Sequence, residues 1–394
     1  MSRIVFGVTG GIAAYKSLDV VRCFKKQHQD IDVICILTED ATKFIQPLSF
    51  STLSGNDVLT DLFAPRKTPV HIELAKADLI IVAPATYNFI GKIANGIADD
   101  LLSCVIAASK CPVLFVPSMN SAMWENLILV DNIKKLKKYG YYFLEPDTGA
   151  LATLDIGKGR FPCTEFIVEE ALCLLNTSKK FSGKKVVITA GKTESYLDPV
   201  RCITNNSSGT MGYELARAAK FQGANVTLIS GPTAITSPNV EVIKIKTTEE
   251  LKNETLKCAS RADILIMAAA VVDYAPASYS AKKIKSSHNS LSIKFQATPD
   301  ILKLTKAKNK KLFTVGFALE SNNHIENAKS KLKSKLLDLI ILNDVSTISA
   351  SDTQLTLINK NMRVKKLPLL SKKEAASKVL NWIIEEYISS SKTV

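Results

Sequence analysis

Along the first 180 residues, short apolar runs alternate with amphipathic stretches: RIVFGV, IAAYKSLDVVRCFKKQ, IDVICIL, ADLIIVAPA, NFIGKIANGIADDLL and CPVLFVP. Near-continuous apolar strands separated by helix-length segments predict a parallel sheet covered on both faces. The pattern restarts at Lys184 with KKVVITAG, the helical GTMGYELARAAKFQG, NVTLIS, VEVIKI, a helix near Thr248 to Cys258, and DILIMAAAV. LFTVGFA, the helical NNHIENAKSKLKSK, LDLIILND, a hairpin from Gln354 to Lys366 and a last helix from Lys372 to Tyr387 follow. The expected fold class is α/β, with two doubly wound, Rossmann-like domains at residues 1–178 and 183–394. Between them NTSKKFSGKK is polar, charged and glycine-containing, as a linker should be.

A length of 394 residues allows two such domains, each with a full core. The formal net charge of +14 suits nucleic acid, an anionic membrane or phosphorylated small molecules. The basic residues are spread out, as in KKLKK and KSKLKSK, with little aromatic interleaving. Most of them fit solvated helix faces, with a few placed for anionic ligands. No stretch approaches the roughly 20 apolar residues that cross a bilayer, and the start runs straight into a strand pattern, so a cytoplasmic protein is expected. Eight cysteines without a C-x-x-C pair suggest buried free thiols in a reducing compartment rather than a metal cluster.

Ligands of doubly wound sheets bind beyond the carboxyl ends of the strands. GVTGGIAAYK joins the first strand to the first helix there. Gly10 and Gly11 let backbone approach a phosphate, and N–H groups from Ile12 onward could hold it; a plain tight turn is the alternative. The run is not G-x-G-x-x-G, so a mononucleotide or flavin phosphate fits better than NAD. Thr38 in LTEDATKFI and Thr86 and Asn88 in APATYNFIGK end further strands, as helix caps or as walls of a shared pocket. His71 in VHIELAKAD offers an imidazole for proton transfer or for structure. PSMNSAMW follows CPVLFV with two N-cap residues, Asn120 and Ser121, among Met119, Met123 and Trp124, which either pack inward or line a site.

In the second domain TAGKTESYLDPVRCITNNSSGTMG suits an anion cradle opening a helix, or a surface loop. Asp198, Pro199 and Arg201 within it look placed for specific geometry. AAAVVDYAP carries Asp273 past a strand end, for magnesium-nucleotide or for a turn. KKIKS supplies Lys283 and Lys285, phosphate ligands or solvated charges.

Pro117, Met119, Asn120, Met123 and Trp124 complete P-x-M-N-x-x-M-W, while Asp198 to Arg201 and Asn205 to Gly212 complete D-P-V-R and N-x-S-S-G-x-M-G. On these motifs the chain, from about Arg3 to Tyr387, resembles the bacterial bifunctional coenzyme A biosynthesis proteins, a phosphopantothenoylcysteine decarboxylase followed by a phosphopantothenate-cysteine ligase. The resemblance implies that the first domain has the flavin-containing cysteine decarboxylase fold. Gly10, Gly11, Ile12, Thr38, Thr86, Asn88 and Ser103 would bind FMN, and His71 would be the catalytic histidine. Met119, Asn120, Met123, Trp124, Thr153 and Arg160 would form a clamp over 4′-phosphopantothenoylcysteine, with Asn120 bonding its cysteinyl carboxylate or amide. FMN would oxidise the thiol side to a thioaldehyde, carbon dioxide would leave as an enethiolate forms, and reduction would give 4′-phosphopantetheine.

For the second domain, the resemblance implies that CTP activates 4′-phosphopantothenate as an acyl-cytidylate, which the amine of cysteine attacks to release CMP. Lys283 would support cytidylate formation and Asn205 its conversion to product. Asp273, Pro299, Asp300, Ile301, Leu302, Phe317, Lys331 and Lys335 would frame CTP together with Lys283, Asp273 also serving Mg2+. The family's decarboxylase trimers, with FMN at subunit boundaries, and ligase dimers imply a homo-oligomer up to a dodecamer, with no nucleic-acid or membrane partner.

One motif departs from the family. Its reducing-step pattern is A-C-G-D-x-G-x-G-R, whereas Ala152 to Arg160 read ATLDIGKGR, with Thr153 for the cysteine and Leu154 for the glycine. A hydroxyl is a far weaker acid than a thiol of pKa about 8.5. Cys163, another acid or water could serve instead. The alternative is an active ligase joined to a decarboxylase half that stops at the oxidised enethiol or only binds flavin. Tyr87 and Phe89 also replace small residues of the family's P-A-S/T-A-N-T pattern, and Lys192 and Ser195 occupy positions usually filled by other residues.

Overall fold

The computed structural model describes residues 2–65, 68–153, 155–285, 291–320, 324–344 and 352–391, the side chains of residues 320, 344 and 391 excepted. The chain divides into two compact units, Met1–Thr177 and Ser178–Val394.

The first unit runs β1 Ser2–Val8, a 3-10 turn Ile12–Lys16, α1 Ser17–Gln27, β2 Ile31–Leu37, α2 Glu39–Thr42, α3 Pro47–Ser54, α4 Val70–Leu74, β3 Leu79–Ala85 and α5 Tyr87–Ala94. It continues with α6 Leu101–Ala108, β4 Val113–Pro117, α7 Ser121–Trp124, α8 Leu127–Lys138, β5 Tyr142–Phe143, a hairpin of β6 Asp147–Ala150 and β7 Ile156–Arg160, and α9 Thr164–Leu175. Five strands form a parallel sheet in the order β2-β1-β3-β4-β5. Alternation along β1 sends Ile4, Phe6 and Val8 into the core under α1 and α9, and Val5 into the core under α5 and α6. Because both faces are covered, β3 is buried along its whole length.

The second unit runs β8 Lys185–Ala190, β9 Glu194–Tyr196, β10 Cys202–Thr204, α10 Thr210–Phe221, β11 Asn225–Ser230, β12 Glu241–Lys244, α11 Thr248–Ala259, β13 Ile264–Met267, β14 Tyr274–Pro276 and β15 Phe295–Ala297. Then follow α12 Ile301–Lys308, β16 Phe313–Glu320, α13 His324–Ser334, β17 Leu339–Asp344, β18 Asp352–Thr353, the hairpin β19 Leu355–Asn359 and β20 Val364–Lys366, β21 Leu370–Ser371 and α14 Lys372–Ser391. The main sheet has the order β12-β11-β8-β13-β16-β17-β19-β20, parallel from β12 to β17 and antiparallel beyond. One face is covered by α10 and α14, the other by α11, α12 and α13. The α/β class with two doubly wound sheets is thus the observed architecture. Each order reverses once along its parallel part, at β1/β3 in the first sheet and at β8/β13 in the second, and such reversals open crevices for ligands.

Two expectations need correction. The run Asn88 to Leu102 reads as one helical stretch but forms two helices. The first ends at Ala94, just before Gly96 turns left-handed at φ 71, and Asp100 caps α6, its carboxylate accepting the Ser103 N–H at 2.8 Å while the Ser103 hydroxyl accepts the Asp100 N–H at 3.0 Å. None of the eight cysteines forms a disulfide, but only Cys35 is buried; Cys202 is exposed and the other six are half-buried. Burial pushes the Cys35 thiol up to about 12 against a hydrogen bond with Ser54, so it is inert at neutral pH. The start of the segment NNHIENAKSKLKSK, Asn322 and Asn323, lies outside the described residues, as does Leu154. Among the described residues no helix is long and apolar enough to cross a membrane, and no group of three or more His, Cys, Asp or Glu could hold a metal ion.

Candidate active sites

In the first unit a cavity of about 750 Å3 opens at the β1/β3 reversal. The loop after β1 forms its floor. Among the described residues no acceptor takes the N–H groups of Gly10, Gly11, Ile12 or Ala13, which leaves a row of donors beside the cavity. Gly10 is required by packing: a Cβ there would run into Cα and Cβ of Asp40. Thr9, which the sequence pattern does not single out, ties the two central strands together. Its hydroxyl donates to the carbonyl of Pro84 at 2.8 Å and its Oγ1 accepts the Thr86 N–H at 3.0 Å. Thr38 and Thr86 both line the cavity and both cap helices, accepting from the N–H of Ala41 and Phe89. The cap and pocket readings of these threonines therefore hold together.

The cavity wall also carries carboxylates, each beside a lysine. Lys43 pairs with Asp40 at 2.7 Å, and Lys92 pairs with Asp99 at 2.8 Å and lies 3.8 Å from Asp100. The hydrogen bond raises Lys92 and lowers Asp99, so both stay charged. Lys16 behaves differently. Burial first, then the Arg160 guanidinium, lower its ammonium, with Asp147 opposing.

Of the proposed flavin ligands, Gly10, Gly11, Ile12, Thr38, Thr86 and Asn88 meet in this cavity. Ser103 does not: it is fully buried, its hydroxyl spent on Asp100. His71, half-exposed on α4, also lies outside the lining. The clamp is partly assembled. Met119, Asn120, Met123, Thr153 and Arg160 line the cavity, with Asn120 capping α7 through the Ala122 N–H at 2.9 Å. Trp124 is not among the lining residues: half-buried, it packs against the core under α5 and α8, and the Lys158 ammonium sits 5.6 Å over its ring. Thr153 donates its hydroxyl proton to Asp155 at 2.9 Å. Cys163 is not among the lining residues, and burial pushes its thiol up, making it a poorer acid.

In the second unit a cavity of about 870 Å3 opens at the β8/β13 reversal. Asn205 to Gly212 form one wall, with Gly209 at φ 83 in the left-handed region as it enters α10. The loop after β13 forms another and is held residue by residue. Ala269 N–H donates to Thr189 at 3.1 Å, Asn205 donates to the Val271 carbonyl at 2.8 Å and Val272 N–H donates to Thr193 at 3.0 Å. Thr298 then donates to the carbonyls of Val272 and Asp273 at 2.8 and 2.9 Å. Asp273 thus stands exposed on a fixed backbone. Pro299, Asp300, Ile301, Leu302, Phe317, Lys331 and Lys335 complete the opposite wall, where Lys335 pairs with Asp300 at 3.2 Å.

Lys283 is exposed and is not part of this lining. Its segment is tethered instead by the D-P-V-R loop. Asp198 is fully buried and accepts the N–H groups of Val200 and Arg201 at 2.8 Å each and of Ile284 at 3.1 Å, while Arg201 bridges to the Ile284 carbonyl. Burial alone would raise this carboxyl, but the three N–H donors and the Arg201 charge hold it below the usual range. Ser195 is buried on β9 and Lys192 bridges to Ala270, so both positions serve the scaffold.

Residues 1–175 match the family model described as flavoprotein, and residues 181–387 match that of the DNA/pantothenate metabolism flavoprotein C-terminal domain. The coenzyme A biosynthesis bifunctional protein CoaBC of Borreliella burgdorferi is 43% identical over 96% of this chain and 98% of its own. The chain belongs to the bifunctional coenzyme A biosynthesis family. The Bacillus subtilis CoaBC is 40% identical over 97% of this chain and 96% of its own. Among solved structures, the C-terminal domain of a CoaBC aligns with a TM-score of 0.47 and 35% identity, covering 53% of this chain and 97% of that one. The FMN-dependent cysteine decarboxylase SpaF aligns at 0.40 and 26% identity, covering 44% and 97%. Like its relatives, this member of the family is a bifunctional enzyme with a flavoprotein decarboxylase half and a ligase half.

Proposed function

We propose that residues 183–394 join cysteine to 4′-phosphopantothenate with CTP, through an acyl-cytidylate, and that residues 1–178 decarboxylate the product with FMN to give 4′-phosphopantetheine. One observation carries the reading. Each unit has a cavity at the reversal of its own sheet, and most of its motif residues converge there.

The row of free N–H donors from Gly10 to Ala13 suits the FMN phosphate, with Thr38, Thr86 and Asn88 beside it. Bound FMN supplies the two-electron oxidation of the substrate thiol that permits decarboxylation. Asn120 offers a donor and an acceptor to the cysteinyl carboxylate or amide, while Met119 and Met123 exclude water. His71 lies outside its own chain's cavity, so in this reading it serves the FMN of a neighbouring copy, as the family's subunit-boundary flavin and dodecameric assembly imply. The same reading is of a cytoplasmic homo-oligomer without nucleic-acid or membrane partners.

In the ligase half Phe317 and Pro299 to Leu302 frame CTP, and Lys331 and Lys335 meet its phosphates. The exposed Asp273 carboxylate, on its fixed backbone, takes Mg2+ jointly with the nucleotide. Lys283 swings in on the arm that Asp198 tethers and supports attack of the carboxylate on the α-phosphate, which breaks the α–β anhydride and releases pyrophosphate. Asn205 guides the amine of cysteine to the acyl carbon, and CMP leaves. Activation is needed because a carboxylate is a poor acyl donor.

A second reading is favoured by the Thr153–Asp155 hydrogen bond: with its proton committed, Thr153 is a poor donor, and the decarboxylase half would stop at the enethiol. Incubation with FMN, Mg2+, CTP, 4′-phosphopantothenate and cysteine, followed by product masses, separates the two. Saturated 4′-phosphopantetheine supports the first reading, and a species two hydrogens lighter supports the second. Intact phosphopantothenoylcysteine leaves only the ligase, and no ligation product overturns the proposal. Chelation of Mg2+ should abolish ligation and spare decarboxylation of supplied 4′-phosphopantothenoylcysteine.

A further inference from the structure

The ligase cavity carries a cation whose role neither the motifs nor the resemblance explains. It is Lys372, the first residue of α14. Its position follows from how α14 lies on the sheet. Near the other end of that helix the Tyr387 ring meets Phe181 at 6.1 Å and Phe313 at 5.6 Å, and Phe313 begins β16. Tyr387 therefore lies at the amino edge of the parallel sheet and Lys372 at the carboxyl edge, where the cavity is. Because α14 covers the same face as α10, Lys372 reaches the cavity from the side of the Asn205 to Gly212 cradle. Lys331 and Lys335 arrive on α13 from the opposite face.

The cavity thus presents cations from both faces of one sheet, and the proposed ligation needs two phosphate-bearing substrates. With CTP framed on the α12 and α13 side, the second phosphate falls to the α10 and α14 side. We propose that Lys372 binds the phosphate of 4′-phosphopantothenate, and so makes the ligase select the phosphorylated acid over pantothenate itself. This rests on the ligase reading above.

The surroundings of Lys372 support it. Lys335, which reaches the cavity from the opposite face, has a carboxylate partner in Asp300 at 3.2 Å. Lys372 is half-buried, yet among the described residues no carboxylate, hydroxyl or carbonyl pairs with it. Burial lowers its ammonium from the usual lysine range, and no acid offsets that shift. A desolvated cation without a counter-charge costs free energy, and an arriving phosphate supplies what is missing.

The test compares the full-length protein with its Lys372→Gln and Lys372→Arg variants, following pyrophosphate released from CTP in the presence of cysteine. We expect Lys372→Gln to raise KM for 4′-phosphopantothenate by about 10- to 100-fold, the usual worth of a charge-assisted hydrogen bond, and to leave KM for CTP within about twofold. The preference for 4′-phosphopantothenate over pantothenate should fall by the same factor, and Lys372→Arg should keep most of it. An unchanged KM, a parallel rise for both substrates, or a rise for CTP alone overturns the inference. Wild-type protein that releases no pyrophosphate overturns the ligase reading itself, a distinguishable result. Calorimetric titration with 4′-phosphopantothenate needs no turnover. Loss of binding in Lys372→Gln supports the inference, and equal binding in both proteins overturns it.

Discussion

The carboxylate of Asp198 accepts the backbone N–H of Ile284 at 3.1 Å, joining segments 86 residues apart in the chain. Ile284 is the central residue of K-I-K, so this bond sets how far Lys283 can range. Asp198→Ala removes the bond and also the carboxylate that holds Arg201, whose guanidinium bridges to the Ile284 carbonyl. Pyrophosphate release should slow by about tenfold or more while KM for CTP changes little, because the residues framing the nucleotide are untouched. A variant that keeps the wild-type rate would mean that the tether has no bearing on Lys283.

The same carboxylate gives a pH dependence with a definite sign. Its pKa is held below the ordinary range in the fold, so it contributes stability above the unfolded value of about 3.9, and that contribution disappears as pH falls through the folded value. Thermal denaturation of the ligase half followed from pH 7 to pH 3 should show a steeper acid loss for wild type than for Asp198→Asn. Parallel curves would remove Asp198 from the acid limb.

Thr193 tests the loop that presents Asp273. Its side chain is fully buried and its Oγ1 accepts both the Val272 N–H and the Thr248 hydroxyl at 3.0 Å. Thr193→Val keeps the shape and strands both donors, at a cost of about 1–3 kcal/mol for each buried donor left unpaired. The ligase half should melt several degrees lower, with KM for CTP rising as Asp273 loosens. An unchanged melting temperature would mean that water or a shifted backbone replaces the bonds.

Much of this is legible in the sequence because strand ends and sheet faces leave local marks. The near-continuous apolar run of β1 and the glycines after it predict both the sheet and the cavity at its end. Thr9, Thr189 and Thr193 do not stand out, since a threonine closing a strand looks alike whether or not a distant loop comes to meet it. Lys372 is hidden for a related reason: a lysine opening a helix reads as solvated, and only the packing of α14 against α10 turns it inward. Trp124 and Ser103 fail in the opposite direction. Their motifs suggest a site, but the ring packs against the core outside the cavity lining and a helix cap takes the hydroxyl.

Gly10 provides a test of the flavin cradle. A methyl group there would overlap Asp40, so Gly10→Ala must move either α2 or the loop carrying the free N–H donors. The purified variant should lose most of its bound flavin, read as absorbance of the yellow cofactor per chain, while ligation by the other unit persists. Full flavin occupancy would show that the donors tolerate the shift.

Thr153 offers a test of how the decarboxylase half ends its cycle. Its hydroxyl proton is given to Asp155, which leaves the oxygen facing the cavity as an acceptor. A cysteine at that position would bring a proton with a pKa of about 8.5, and well-placed general acids are worth about 100- to 10,000-fold. In single turnovers from 4′-phosphopantothenoylcysteine, Thr153→Cys should therefore form 4′-phosphopantetheine much faster than wild type, with carbon dioxide release unchanged. Thr153→Val should resemble wild type, because the hydroxyl it removes was not the donor. If Thr153→Val instead lost the saturated product, the threonine itself would be carrying the proton, with Asp155 returning it.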